Sequence, residues 1–143
     1  MRAAVCKSGL LPAELLETAK KINSTRKASP IQLLDFSGKL TQRQLSAAEK
    51  MALDSIEAGC AVSSRPEIEF LLFLACTPHV KKAAEVAGIK NNRRFIVAVF
   101  GNGEKMLEKA CGEIGAEVVG KIRAESESDF DEIERMALSR ISG

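Results

Sequence analysis

The sequence predicts a mixed α/β domain: a small central sheet of about four strands with helices packed around it and a helix-rich N-terminal half. Apolar runs of strand length, at residues 31–36 and 95–100, alternate with stretches whose apolar residues recur at helical spacing. Glycine and proline punctuate most of the junctions. A chain of 143 residues, 45% hydrophobic and 28% charged, is long enough to bury a core, so one domain over 1–143 is expected.

In chain order, Ala3, Ala4, Val5 and Cys6 read as a short edge strand. Residues 12–21 read as a helix: Pro12 opens it, Glu14 and Glu17 come early, and Lys20 and Lys21 come late, an order that complements the helix dipole. Residues 23–30, with Arg26 and Lys27, read as a basic loop. Ile31, Leu33, Leu34 and Phe36 form a strand closed by a Ser37-Gly38 turn. Thr41 and Gln44 make a capping box. Leu45, Ala48, Ala52 and Ile56 then share one helical face until Gly59.

Residues 64–89, SRPEIEFLLFLACTPHVKKAAEVAGI, hold the longest apolar run. Ser64 and Glu67 suggest a capping box and Pro66 a first helical turn; a helix apolar on nearly all sides is a buried one. Thr77-Pro78 is expected to start a second short helix, with Lys81 and Lys82 early and Gly88 as a left-handed cap. The continuously apolar residues 95–100 suggest a central strand covered on both faces. Gly101-Asn102-Gly103 turns the chain into a helix over 104–114 that ends at Gly115, and 117–119 give a last strand. Ser128 and Asp131 are read as capping a final helix to about residue 141, with Phe130, Ile133, Ala137 and Ile141 as a stripe and Met136 beside it.

Composition narrows the function classes. Trp and Tyr are absent and only six Phe are present, which argues against aromatic base-stacking platforms. The net charge is +2 but uneven: residues 1–50 carry nine Lys/Arg against four Asp/Glu, and residues 96–143 carry six against ten. That asymmetry suggests one face for an anion and another for a second partner, with dispersed solvated charge as the alternative. Cys6, Cys60, Cys76 and Cys111 form no CxxC pair, which fits reduced thiols in the cytosol. No signal-like apolar region or membrane-length segment is present, so a cytoplasmic location is expected.

No motif supplies reaction chemistry. GNGEKM lacks the third glycine of a dinucleotide fingerprint and the spacing of a Walker loop; a strand-to-helix turn explains it better. His79, the only histidine, has no nucleophile or acid partner in any motif and no companion ligand for a metal. Its alternatives are a plain surface histidine or a polar contact to RNA. Lys39, Arg43, Lys50, Arg65, Lys81, Lys82, Lys90, Arg93 and Arg94 would neutralise phosphates if they converged. The last helix either packs on its own sheet or offers its apolar stripe to another protein.

Residues 64–89 resemble the signature region of the small non-catalytic KEOPS subunit that binds the complex's kinase-like ATPase, a family that includes the eukaryotic PRPK-binding protein. Glu69, Leu71-Leu72, Ala75, Val80, Ala83 and Gly88-Ile89 match. The family's Arg-Gln falls on Pro78-His79, its usual Gly on Cys76 or Thr77, and a frequent Asn on Ser64; the resemblance runs from Ile31 to Val99. It implies a cytoplasmic, non-enzymatic subunit serving threonylcarbamoyl-adenosine modification of tRNA. Its implied partners are the kinase-like ATPase and the 3′ CCA end of tRNA, without a cofactor, metal, membrane or small-molecule substrate. The residues placed in tail binding are Arg65, Glu69, Thr77, His79, Lys81 and Lys82. By the same resemblance Phe130, Ile133, Met136, Ala137 and Ile141 would dock the kinase. A protein-only adaptor without RNA affinity and a small-molecule-binding regulator, with a pocket near residues 101–105, are the alternatives.

Overall fold

The computed structural model describes residues 1–26 and 28–141; Lys27, read above as part of a basic loop, lies outside them. The fold is mixed α/β, with a four-stranded antiparallel sheet and six helices among the described residues. It forms two compact units, one of residues 1–39 with 89–122 and one of residues 40–88 with 123–143.

The first unit is β1 (Arg2–Ser8), α1 (Pro12–Thr25), β2 (Ile31–Asp35), β3 (Phe95–Val99), α5 (Glu104–Ile114) and β4 (Ala116–Gly120). The strand order is β2-β3-β1-β4 and every neighbouring pair is antiparallel. Register follows side-chain alternation: Ala4 pairs with Val97 and Cys6 with Phe95, while Leu33 pairs with Val97 and Ile31 with Val99. These residues cluster with Leu15, Ala19 and Ile22 of α1 and Ala110, Cys111 and Ile114 of α5. β3 is central and buried throughout, as its unbroken apolar run predicts.

β1 is central rather than an edge strand. Its consecutive Ala4, Val5 and Cys6 are all buried, the pattern of a strand covered on both faces. The helix expected over 12–21 runs on to Thr25, its last turn held by Asn23, Ser24 and Thr25 side-chain hydrogen bonds. Gly115 caps α5 at φ 75, as expected.

The second unit is helical: α2 (Gln42–Glu57), α3 (Pro66–Leu74), α4 (Val80–Ala87) and α6 (Asp129–Leu138). α2 packs on α3, α3 on α4, and α6 on both α2 and α3. Thr41 caps α2 as predicted, its hydroxyl accepting from the Gln44 N–H at 3.2 Å. The carbonyls of Arg123 and Ala124 accept the Gln42 and Arg43 N–H groups at 2.8 and 3.1 Å, satisfying first-turn donors that a helix leaves open.

α6 ends at Leu138, short of the expected 141, so Ile141 lies in the turn that follows, and three more helix ends differ from expectation. The N-cap of α3 is Arg65, not Ser64, because the residue before a proline is pushed into extended backbone (φ −90, ψ 117), the N-cap conformation; the Ser63 hydroxyl accepts from Arg65 N–H. α4 begins at Val80 with His79 as N-cap, because the Thr77 hydroxyl closes a turn on the His79 N–H at 3.3 Å. Gly88 is not left-handed: its φ is −73, and it is required by space, since a Cβ there would stand 2.6 Å from the Ala84 carbonyl oxygen.

Candidate functional site

The corner between α3 and α4 gathers four of the six residues assigned to tail binding. Cys76 turns the chain with a left-handed φ of 53, the position a glycine would favour. Thr77 is buried and spends its hydroxyl on the turn, while His79, Lys81 and Lys82 lie exposed on the first turn of α4. Neither lysine pairs with a described carboxylate. Arg65 is exposed at the far end of α3, about 14 Å along a nine-residue helix, and pairs with Glu67 at 2.9 Å.

A cleft of about 550 Å³ opens beside this corner. Pro78, Phe73, Met51 and Val62 give it apolar walls, and Ser55, Asp54 and Arg140 add polar groups. Arg140 Nε is buried and has no hydrogen-bond partner among the described residues.

Glu69 is not on that surface. It is fully buried, and both oxygens are used: Arg140 donates to them at 2.8 and 2.9 Å, Ser55 at 2.7 Å and the Ser63 N–H at 3.2 Å. The Arg140 guanidinium also lies 4.3 Å from the Phe73 ring centroid. Burial alone would push the Glu69 carboxyl up, but the Arg140, Ser55 and Ser63 donors outweigh it and hold it below its ordinary value. One signal of this clamp stood in the sequence and was not read: a carboxylate inside the run EIEFLLFL must find a cation if it is buried.

A second polar clamp was not foreseen. Asp129, the first residue of α6, is 1% exposed and accepts from Thr41 Oγ1 at 2.7 Å, Gln44 Nε2 at 2.8 Å, and the Ser126 N–H and hydroxyl at 2.8 and 3.1 Å. Burial would raise its pKa, but the donors from Thr41, Ser126 and Gln44 prevail and hold it at about 2. Neither Ser128 nor Asp131, read as the caps of this helix, does that work: Ser128 occupies the N-cap position but makes no side-chain capping bond.

Between these clamps, α6 buries Met136. Ile133 is half-buried, and Ala137 is exposed. Phe130 and Ile141 are 77% and 80% exposed. The five residues assigned to kinase docking therefore divide. Met136 is core; Phe130 and Ala137, with the half-buried Ile133, leave a partly open apolar strip on α6, and Ile141 lies in the turn beyond its end, while polar contacts at both ends hold the helix.

Other cations are engaged locally: Arg43 with Glu125, Lys50 with Asp54, Lys90 with Asp35, and Arg94 over the Phe36 ring. Residues 101–103 form an exposed turn, with Gly101 at φ 92, and the exposed Glu104 and Lys105 open α5. Among the described residues no group of three or more His, Cys, Asp or Glu is arranged to hold a metal ion, and no helix is long and apolar enough to cross a membrane. No protein-family model matches the chain, and no curated protein sequence matches it.

Proposed function

We propose that this chain is a non-catalytic KEOPS subunit that binds and stimulates the kinase-like ATPase and holds the 3′ CCA end of tRNA during threonylcarbamoyl-adenosine modification. The observation that carries this reading is the exposed apolar strip of α6. Phe130 stands in solvent on a helix anchored without it, and Ile141 is exposed in the turn that follows, which fits a helix end offered to a groove.

The RNA half rests on the corner. An unpaired 3′ end is recognised through splayed bases and backbone phosphates together. The cleft beside Pro78 combines apolar walls with Arg140 and Ser55, and Lys81, Lys82 and His79 supply exposed charge and polarity nearby. Glu69 acts in this scheme only by orienting Arg140.

One observation favours a second reading, a protein-only adaptor. With Glu69 buried and Arg65 at the other end of its helix, fewer groups face a nucleotide than the resemblance implies.

A gel shift with tRNA carrying and lacking its CCA end separates the two. The primary reading expects tail-dependent binding, weakened roughly tenfold or more in K81E/K82E, with the salt slope reduced by about 1.4, near 0.7 per lost single-strand phosphate contact. Binding of neither tRNA leaves the adaptor, and equal binding of both contradicts recognition of the tail.

A further inference from the structure

Cys6 and Cys111 are 105 positions apart in the chain, yet their Sγ atoms stand 3.7 Å apart inside the first unit. No CxxC spacing announces the pair; the fold makes it. Cys6 sits on the central strand β1, opposite Phe95 of β3, and Cys111 sits on α5. Both belong to the apolar core, with 0% and 4% of their surface exposed, and both thiols are free. A bond between these sulfurs would tie α5 to the middle of the sheet.

The two thiols divide the roles that oxidation needs. The hydrogen bond to Cys111, with burial behind it, pushes the Cys6 thiol up. The same bond holds Cys111 below its ordinary value, against the cost of burial. Cys6 therefore keeps and donates its proton, and Cys111 carries the thiolate character that an oxidant meets first. A thiolate in contact with a second thiol has its resolving partner already in place. Because both residues are buried, the oxidant must be close to water in size.

We propose that Cys6 and Cys111 form an oxidisable dithiol, which hydrogen peroxide closes into an internal disulfide that locks α5 onto β1. The Cys111 thiolate attacks the peroxide: an S–O bond forms, the O–O bond breaks and hydroxide leaves. The Cys6 sulfur then attacks the Cys111 sulfenic acid: the S–S bond forms, the S–O bond breaks, and the oxygen leaves as water with the Cys6 proton. The hydroxide takes up the proton that the Cys111 thiol gave up. Two thiols thus lose two electrons and two protons, and one peroxide becomes two waters. The sulfurs close from 3.7 Å to about 2.05 Å. This goes beyond the KEOPS reading and does not depend on it, since both cysteines lie in the sheet unit.

Peptide mapping of the full wild-type chain tests it. Hydrogen peroxide is added to the folded protein, the reaction is quenched, and remaining free thiols are alkylated in guanidinium before digestion. The expected product is a peptide joining Cys6 to Cys111, lighter by two hydrogens than its reduced halves and released by dithiothreitol. The oxidised protein should melt about 5 °C or more above the reduced one, because the bond spans 105 positions of chain. C111A should lose both the link and the gain, while C60S, which alters the exposed thiol of the second unit, should keep both. Cys6 and Cys111 recovered as free thiols at a peroxide dose that oxidises Cys60 would overturn the proposal. So would Cys111 oxidised past the sulfenic acid with no link, a linked protein that melts no higher, or a gain that survives in C111A.

Discussion

Cys76 holds a left-handed φ of 53 that a non-glycine residue adopts at a cost of about 1–3 kcal/mol. Glycine would relieve that strain while losing some entropy on folding, so C76G should raise the unfolding free energy by roughly 0.5–1 kcal/mol in urea denaturation. The resemblance left the family's glycine on Cys76 or Thr77; Cys76 is the position whose backbone asks for it. Asp129 gives a pH dependence. Its folded pKa of about 2 lies below the ordinary 3.8, so its contribution is present above pH 4 and disappears as pH falls through 2. Stability measured across that window should fall more steeply in the wild type than in D129N. At neutral pH, D129N should be about 2–3 kcal/mol less stable, because charge-assisted bonds from Thr41, Gln44 and Ser126 weaken together.

Helix α6 is where periodicity and structure part. The stripe Phe130, Ile133, Ala137 and Ile141 was legible in the sequence, but periodicity assumes that apolar residues face the core. Here Met136 and two polar clamps hold the helix, and nothing in the spacing of Thr41, Gln44 and Asp129, or of Glu69 and Arg140, announces contacts over such separations. Elements with local causes were read well: β3 from its unbroken apolar run, α5 from its terminal Gly115, α2 from Thr41. The place of β1 in the sheet was not legible, since the four-residue apolar run Ala3 to Cys6 carries no partner information. The Glu69–Arg140 clamp makes a testable claim. R140M strands a buried carboxylate and should cost about 3–5 kcal/mol, whereas E69L/R140M removes both charges and should recover most of it. Guanidinium unfolding of the three proteins decides this; a double variant no more stable than R140M would contradict the clamp as described.

At the scale of the whole molecule, the proposed function asks for two surfaces for two partners. One is the cleft and basic turn at the α3–α4 corner, and the other is the open strip of α6. Both belong to the helical unit, and the sheet unit contributes to neither. The structural alternative for α6, a stripe packed inside its own unit, does not describe Phe130 or Ile141. Phe130 gives the cleanest probe, because its side chain is largely in solvent and its replacement leaves both clamps untouched. The decisive measurement is therefore a calorimetric titration of the kinase-like ATPase of the same organism with wild type and F130E. The account predicts saturable binding for the wild type and a loss of about 2 kcal/mol or more for F130E, with an unchanged melting temperature. Equal affinity for both, or no binding of the wild type, would contradict it.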